Sequence, residues 1–330
     1  MSKQMSVFFI VSDTDAVCRQ LSAVIKMCTD AEYDAFSLNY SFEGYKGNIK
    51  KSLKQLFQTE KKLNISCCSV RKTLSFKYEQ SPNIRWLAKN NCQVKILFDN
   101  LEALNGKTSR QFKNAQLIVK CDTLPELNRI PKVLYNTSIR FNTTENTESR
   151  FGNLFDQWLT LKDAPAISNF IDILNLILLK EHNECENSSC LGHVLSIDGS
   201  NIIHWCKYNL TESALCHVNQ LSTLSECFSN NLFEKYLDAN IMKRDYCKTE
   251  CKLFDVCQGG CPLRSDIQSA QNNHCTEQTF IELARYVNNS LKKQISLGDL
   301  TVFNNKARAI ILKALAYKPF SDIFTLEDCM

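Results

Sequence analysis

Eight of the ten cysteines between positions 185 and 275 constrain this chain more than any other feature of its sequence. Four of them fall in Cys247-x3-Cys251-x5-Cys257-Gln258-Gly259-Gly260-Cys261-Pro262, and Cys275 follows after thirteen intervening residues. Short gaps let successive thiolates converge on one centre. Gly259 and Gly260 remove side chains where the backbone must turn sharply, and leave amides to donate to cluster sulfides. Upstream, Cys185-x4-Cys190-x15-Cys206 brackets Leu195-Ser196-Ile197-Asp198-Gly199, a hairpin turn that brings Cys206 back towards Cys190. Eight thiolates suffice for two sites of four, and spacing alone leaves both tetrahedral zinc and iron-sulfur clusters open. Cys216 and Cys227 fall outside the pattern and read as ordinary buried thiols, as do Cys18, Cys28, Cys67, Cys68, Cys92, Cys121 and Cys329.

Composition weighs against disulfides. The 17 cysteines in 330 residues are about 5% of the chain, below the roughly 8–10% of a short disulfide scaffold. The N-terminal apolar run over residues 7–11 is too short for a signal h-region, so the expected compartment is the cytoplasm, where clustered thiols serve as ligands. A net charge of +4 from 39 basic and 35 acidic residues, with no basic run or acidic tail, points to no nucleic acid. No stretch approaches the ~20 apolar residues of a membrane helix, because the best one, residues 170–179, carries Asp172 and Asn175.

The first half alternates β-type runs with helical patterns, the signature of parallel βα units. Strands are expected over residues 7–12, 33–42, 63–70, 94–98, 117–120 and 138–141, with helices over 16–27, 48–62, 82–90 and 124–134. Six strands with right-handed crossovers would make an open, partial barrel. Residues 142–150 (NTTENTESR) are polar and unperiodic, which predicts a linker, and an apolar helix is expected over 167–179. Short β pieces follow at 194–197 and 202–205 within a small, metal-stapled module, and the tail at 303–317 reads as an amphipathic packing helix.

The cysteine layout resembles the SPASM domain of radical-SAM peptide- and protein-modifying enzymes over residues 185–286. By that resemblance, Cys185, Cys190, Cys206 and Cys261 would hold one auxiliary [4Fe-4S] cluster, and Cys247, Cys251, Cys257 and Cys275 a second. One departure is the x3 between Cys247 and Cys251, where two intervening residues are usual. The βα repeat also resembles the radical-SAM partial (β/α)6 barrel, but its diagnostic residues are absent. Active members carry Cys-x3-Cys-x2-Cys after the first strand, and three thiolates leave the fourth iron of a cluster open to S-adenosylmethionine. Here that place holds Val11-Ser12-Asp13-Thr14-Asp15-Ala16-Val17-Cys18, and no triplet of that spacing occurs in the chain. Cys18 and Cys28 would stand almost three turns apart on one helix, about 15 Å at 1.5 Å per residue, too far to share an iron site. The family's Gly-Gly-Glu-Pro loop after the second strand is replaced by Asn39-Tyr40-Ser41-Phe42-Glu43-Gly44. Residues 94–100 (VKILFDN) and Arg110 stand where active members have Ser-Leu-Asp-Gly and a substrate-side Arg.

The resemblance implies an α/β chain of four parts: a degenerate barrel at 1–150, a linking helix region at 151–184, the SPASM module at 185–286 and a helical tail at 287–330. It implies two [4Fe-4S] clusters, no S-adenosylmethionine-binding cluster and no catalytic residues. The expected role is that of a partner to an active radical-SAM/SPASM enzyme, in a heteromer that matures a ribosomally made precursor peptide. A stand-alone iron-sulfur enzyme would instead need an open iron or a reactive thiol such as Cys67 or Cys68, but adjacent strand residues point to opposite faces. A zinc-stapled binding module is the third reading.

Overall fold

A computed structural model describes residues 4–63, 69–77, 79, 87, 92–104, 115–132, 137–143, 148–181, 193–206, 210, 213–220, 223–229, 231–250, 254, 278–295 and 300–317. Strand β1 (Gln4–Ile10) leads into helix α1 (Thr14–Asp30), β2 (Ala35–Ser41), α2 (Ile49–Lys62), β3 (Ser69–Lys77) and β4 (Cys92–Phe98). Then come β5 (Ala115–Cys121), β6 (Ser138–Thr143), α3 (Glu148–Thr160), β7 (Ala166–Ile167) and α4 (Ser168–Leu174). The last described elements are β8 (Val194–Ile197), β9 (Ile202–His204), β10 (Ala214–His217), α5 (Leu224–Phe228), α6 (Asn231–Glu250), α7 (Gln278–Ile295) and α8 (Asn305–Tyr317).

The chain forms two compact units, each drawn from two stretches: 1–97 with 189–238, and 98–188 with 239–330. In the first unit, β1, β2, β3 and β4 pair in parallel, and β8 pairs in parallel with the other edge of β1. β9 and β10 add antiparallel strands beyond β8. Strand alternation separates the two faces. Met5, Val7 and Phe9 of β1 and Phe36, Leu38 and Tyr40 of β2 are buried, and Phe9 stacks on Tyr40 with ring centroids 5.4 Å apart. The other face carries Ser6, Ser37 and Asn39, whose amide donates to Ser37 O (3.1 Å). Glu60 of α2 is buried where Tyr40 OH donates to it (2.8 Å) and Lys72 of β3 pairs with it. Its charge is thereby matched where solvent cannot reach it.

In the second unit, β5, β6 and β7 pair in parallel. Phe151, Phe155 and Trp158 line one stripe of α3 and meet Phe170 of α4, with ring centroids 5.1, 5.7 and 5.4 Å away. Trp158 Nε1 donates to Pro165 O (2.8 Å), which satisfies the indole inside the core. No helix among the described residues is long and apolar enough to cross a membrane.

Several expected boundaries move. The described third strand is Ser69–Lys77, which shares only Ser69 and Val70 with the expected run 63–70; residues 64–68 lie outside the described ones, and the alternation that buries Leu74 and Phe76 places Leu74 opposite Tyr40. The helix expected at 124–134 is only a 3₁₀ turn, Leu127–Arg129; Pro131 holds the preceding Ile130 extended (φ −80°, ψ 120°), and residues 133–134 lie outside the described ones. The expected linker at 142–150 is shorter, since β6 runs to Thr143 and α3 begins at Glu148. The apolar helix at 167–179 is α4 continued by a π-helical turn, Asn175–Leu179, which ends at Lys180 in the left-handed region (φ 56°). The helix expected at 82–90 lies outside the described residues except for Leu87.

Asn304 joins helix capping to this core. Its Oδ1 accepts from Lys306 N and Ala307 N (2.9 Å each), and its Nδ2 donates to Trp158 O (2.5 Å). Asn304→Ala is expected to cost about 1–2 kcal/mol, because it removes an N-cap and one of the two hydrogen bonds that the Trp158 carbonyl accepts, the other coming from Leu161 N (3.3 Å). Urea denaturation followed by far-UV circular dichroism checks this, and an unchanged midpoint would show that the cap is dispensable. Trp158→Ala, which opens a cavity in the aromatic cluster, should cost about 3–5 kcal/mol in the same assay.

Candidate functional site

Where the resemblance expects an iron-binding loop, the connection between β1 and α1 is three residues, 11–13. It is short because Asp13 caps α1 at once, its carboxylate accepting from Asp15 N (3.1 Å) and Ala16 N (3.3 Å). Val11 N donates to Ser41 O (2.8 Å), so the connection leaves the sheet without a bulge. Thr14 Oγ1 is hydrogen-bonded to Tyr45 OH (3.1 Å), which in turn meets Ser52 Oγ (2.6 Å) on α2. None of the three connecting residues is a cysteine. Cys18 sits in α1, half-buried, its thiol pushed up chiefly by burial. Cys28 is fully buried near the other end of α1, and burial pushes its thiol up to about 12.

A second segment closes over this connection. The β8–β9 turn is organised by Asp198, whose Oδ1 accepts from Ser200 N (2.8 Å) and Ile202 N (2.9 Å) and whose Oδ2 meets His204 Nε2 (3.2 Å). Asn201 takes the left-handed conformation (φ 63°) and accepts from the buried Gln20 Nε2 of α1 (2.6 Å). A Cβ on Gly199 would meet Ser12 Oγ at 2.7 Å and Ser12 Cβ at 3.3 Å. Glycine at that position lets the hairpin turn approach the β1–α1 connection. The end of β2 is filled too. Tyr40 and Phe42 are fully buried, and Phe42 stacks on Phe76 with centroids 5.2 Å apart. At the end of β4, Asn100 Oδ1 accepts from Ala103 N (3.0 Å) and caps a turn, while Arg110 lies outside the described residues.

Of the eight expected cluster ligands, Cys206 and Cys247 are described, whereas Cys185, Cys190, Cys251, Cys257, Cys261 and Cys275 lie outside the described residues, as do Cys67 and Cys68. Cys206 follows β9 in the first unit, where its carbonyl accepts from Ser213 Oγ (3.1 Å). Cys247 stands on α6 within the second unit's stretch. Both are half-buried and outside any disulfide, so their thiols fit thiolate ligation. Among the described residues no group of three or more His, Cys, Asp or Glu side chains is placed to hold a metal ion.

Two other cysteines do come together. Cys216 of β10 and Cys227 of α5 bring their sulfurs to 3.5 Å. The hydrogen bond between them lowers the Cys216 thiol, and the same bond together with burial raises that of Cys227. No local signal announces this pair, because it joins an edge strand to a helix through a turn.

No protein-family model and no curated protein sequence matches the chain. Solved structures do. Native anSMEcpe with bound AdoMet superposes with a TM-score of 0.62 at 17% identity, over 87% of this chain and 99% of that one. Native anSMEcpe with bound AdoMet and Cp18Cys peptide gives 0.62 at 17% identity, over 88% and 99%. A histidine-tagged form of anSMEcpe with bound AdoMet gives 0.60 at 16% identity, over 86% and 96%. These structures are of an anaerobic sulfatase-maturating radical-SAM/SPASM enzyme. The likeness shows the fold: a mixed α/β chain with a parallel-dominated sheet of the radical-SAM/SPASM kind.

The approach of Gly199 to Ser12 is testable by a double-mutant cycle. Gly199→Ala should destabilise by about 1 kcal/mol, the low end for overpacking, because Ser12 is exposed and can turn aside. In a Ser12→Gly background the same substitution should cost measurably less. Additive costs would mean that the two residues do not press on each other.

Proposed function

We propose that this chain is a catalytically degenerate radical-SAM/SPASM homologue that acts as the partner of an active radical-SAM maturase on a ribosomally made peptide. The observation that carries the reading is the β1–α1 connection. Its three residues lead straight into a capped helix, and neither they nor any other segment of the sequence supplies a Cys-x3-Cys-x2-Cys triplet. A radical-SAM fold that lacks those thiolates has no means of presenting an open iron to S-adenosylmethionine.

The C-terminal half carries a different legacy. Cys185, Cys190, Cys206 and Cys261 would hold one auxiliary [4Fe-4S] cluster, and Cys247, Cys251, Cys257 and Cys275 the other. When bound, such clusters supply an electron relay or a covalent staple for a loop-rich module. The chain's own residues contribute the frame. Asp198 and Asn201 fix the β8–β9 turn, and Trp205 beside Cys206 packs against Tyr236 at 5.3 Å, so the strand leading to Cys206 is anchored on both sides. That anSMEcpe has been solved with a bound peptide supports a peptide as the substrate class carried by the shared fold. A cytoplasmic heteromer with the maturase follows from the same reading.

Three measurements test it. Anaerobically purified protein should contain about eight irons and about eight sulfides per chain, with broad absorbance near 400 nm; two zincs and no sulfide would leave a zinc-stapled module instead. Incubation of the reduced protein with S-adenosylmethionine should yield no 5′-deoxyadenosine, and its formation by the isolated chain would overturn the loss of radical chemistry. Co-expression with a radical-SAM enzyme encoded beside it should yield a heteromer that raises peptide modification. Failure both to co-purify and to affect modification would remove the partner role.

A further inference from the structure

We propose that Cys216 and Cys227 form a redox-active dithiol that closes to an intramolecular disulfide by exchange with a small disulfide of the glutathione type. Their sulfurs lie 3.5 Å apart with neither in a disulfide, so closure to the ~2.05 Å of an S–S bond needs a movement of about 1.5 Å. Both residues belong to the first unit, and each is held by its own frame. Cys216 pairs with Ile203 across the β9–β10 ladder, at a register irregularity between Ala214 and Cys216. Such an irregularity re-aims side chains on an edge strand. The turn after β10 is tied back by Val218 N donating to Asn201 O (2.9 Å). Helix α5 is started by a capping box in which Thr223 Oγ1 accepts from Glu226 N and Glu226 Oε2 accepts from Thr223 N (3.2 Å each). That cap places Cys227 on the turn facing Cys216.

The two thiols differ as an attacking and a resolving cysteine must. Cys216 is half-buried and within reach of a small solute, whereas Cys227 is 1% exposed. The hydrogen bond between them favours the thiolate on Cys216 and the thiol on Cys227. Cys28, a third buried thiol whose charge would act on Cys227, is pushed up to about 12 and stays protonated. In the first step the Cys216 thiolate attacks one sulfur of the small disulfide, forming a mixed disulfide and breaking the original S–S bond. The departing thiolate takes up the proton that Cys216 released. In the second step Cys227 attacks Cys216 Sγ and expels the other small thiolate, which takes the Cys227 proton. Two protein thiols are oxidised by two electrons, and one small disulfide is reduced to two thiols. The new bond ties edge strand β10 to α5, beside the strand that leads to Cys206.

The test uses the full chain, purified anaerobically and exposed to oxidised glutathione, then alkylated, digested and mapped by mass spectrometry. The expected product is a cross-linked peptide pair joining Cys216 to Cys227, with loss of two alkylatable thiols. Cys227→Ser should trap glutathione on Cys216, and in folded Cys216→Ser protein Cys227 should stay unmodified. Oxidised wild type should melt a few degrees above the reduced form, a shift absent from Cys227→Ser. Iron is counted on the same samples. A link that forms at any iron content supports the dithiol and leaves the cluster reading to its own test. Unlinked, alkylatable Cys216 and Cys227 in the folded wild type, or glutathione first on Cys227, would overturn the proposal.

Discussion

The parallel pairing of β1 with two partners far apart in the sequence, β2 and β8, underlies the whole first unit. β2 pairs along one edge of β1, with Val7 opposite Leu38, and β8 along the other, with Val7 opposite Leu195. All three residues are fully buried. A strand hydrogen-bonded on both edges and apolar on one face has no alternative register, since a slip of one residue would bring Ser6 to the place of Val7. Because β8 is held there, the turn that follows it must lie over the end of β1. This is why Gly199 touches Ser12 and Asn201 reaches Gln20. The hairpin bearing Cys206 is therefore an extension of the N-terminal sheet.

That geometry bears on chemistry. The connection after the first strand is compact, capped by Asp13 and overlaid by the β8–β9 turn. The end of β2 is likewise closed by the buried rings of Tyr40 and Phe42. The Tyr40 hydroxyl is committed to Glu60, and Glu60 to Lys72, so the polar groups behind the sheet compensate one another. Thr14, Tyr45 and Ser52 likewise tie the start of α1 to α2 through a chain of hydroxyls.

How much of this is legible in the sequence depends on the range of the contacts. α1 and α2 are visible because apolar residues recur at helical spacing behind Asp13 and Asn48, and both residues are caps in the structure. β1, β2 and the β8–β9 hairpin follow from alternation and from Asp198-Gly199. The missing triplet is plain from residue identity alone. The extent of β3 is not legible, because the run at 63–70 itself alternates Leu63, Ile65 and Cys67 with polar residues, and only pairing with β2 shows that the strand continues to Lys77. The helix expected at 124–134 does not form where Pro131 forces Ile130 extended, a local constraint that overrides apolar spacing.

The sequence by itself determined the residue types available for chemistry: eight cysteines in a ligand-like pattern, and no Cys-x3-Cys-x2-Cys triplet. It also determined most local elements, because helical and strand periodicity are properties of neighbouring residues. Only the tertiary structure decided that β8 joins β1, that Gly199 closes on Ser12, and that Cys216 and Cys227 meet at 3.5 Å. Each of these depends on the register and direction of elements brought together through non-local burial. No spacing along the chain carries that information, so two cysteines that look unrelated in the sequence become neighbours in the fold.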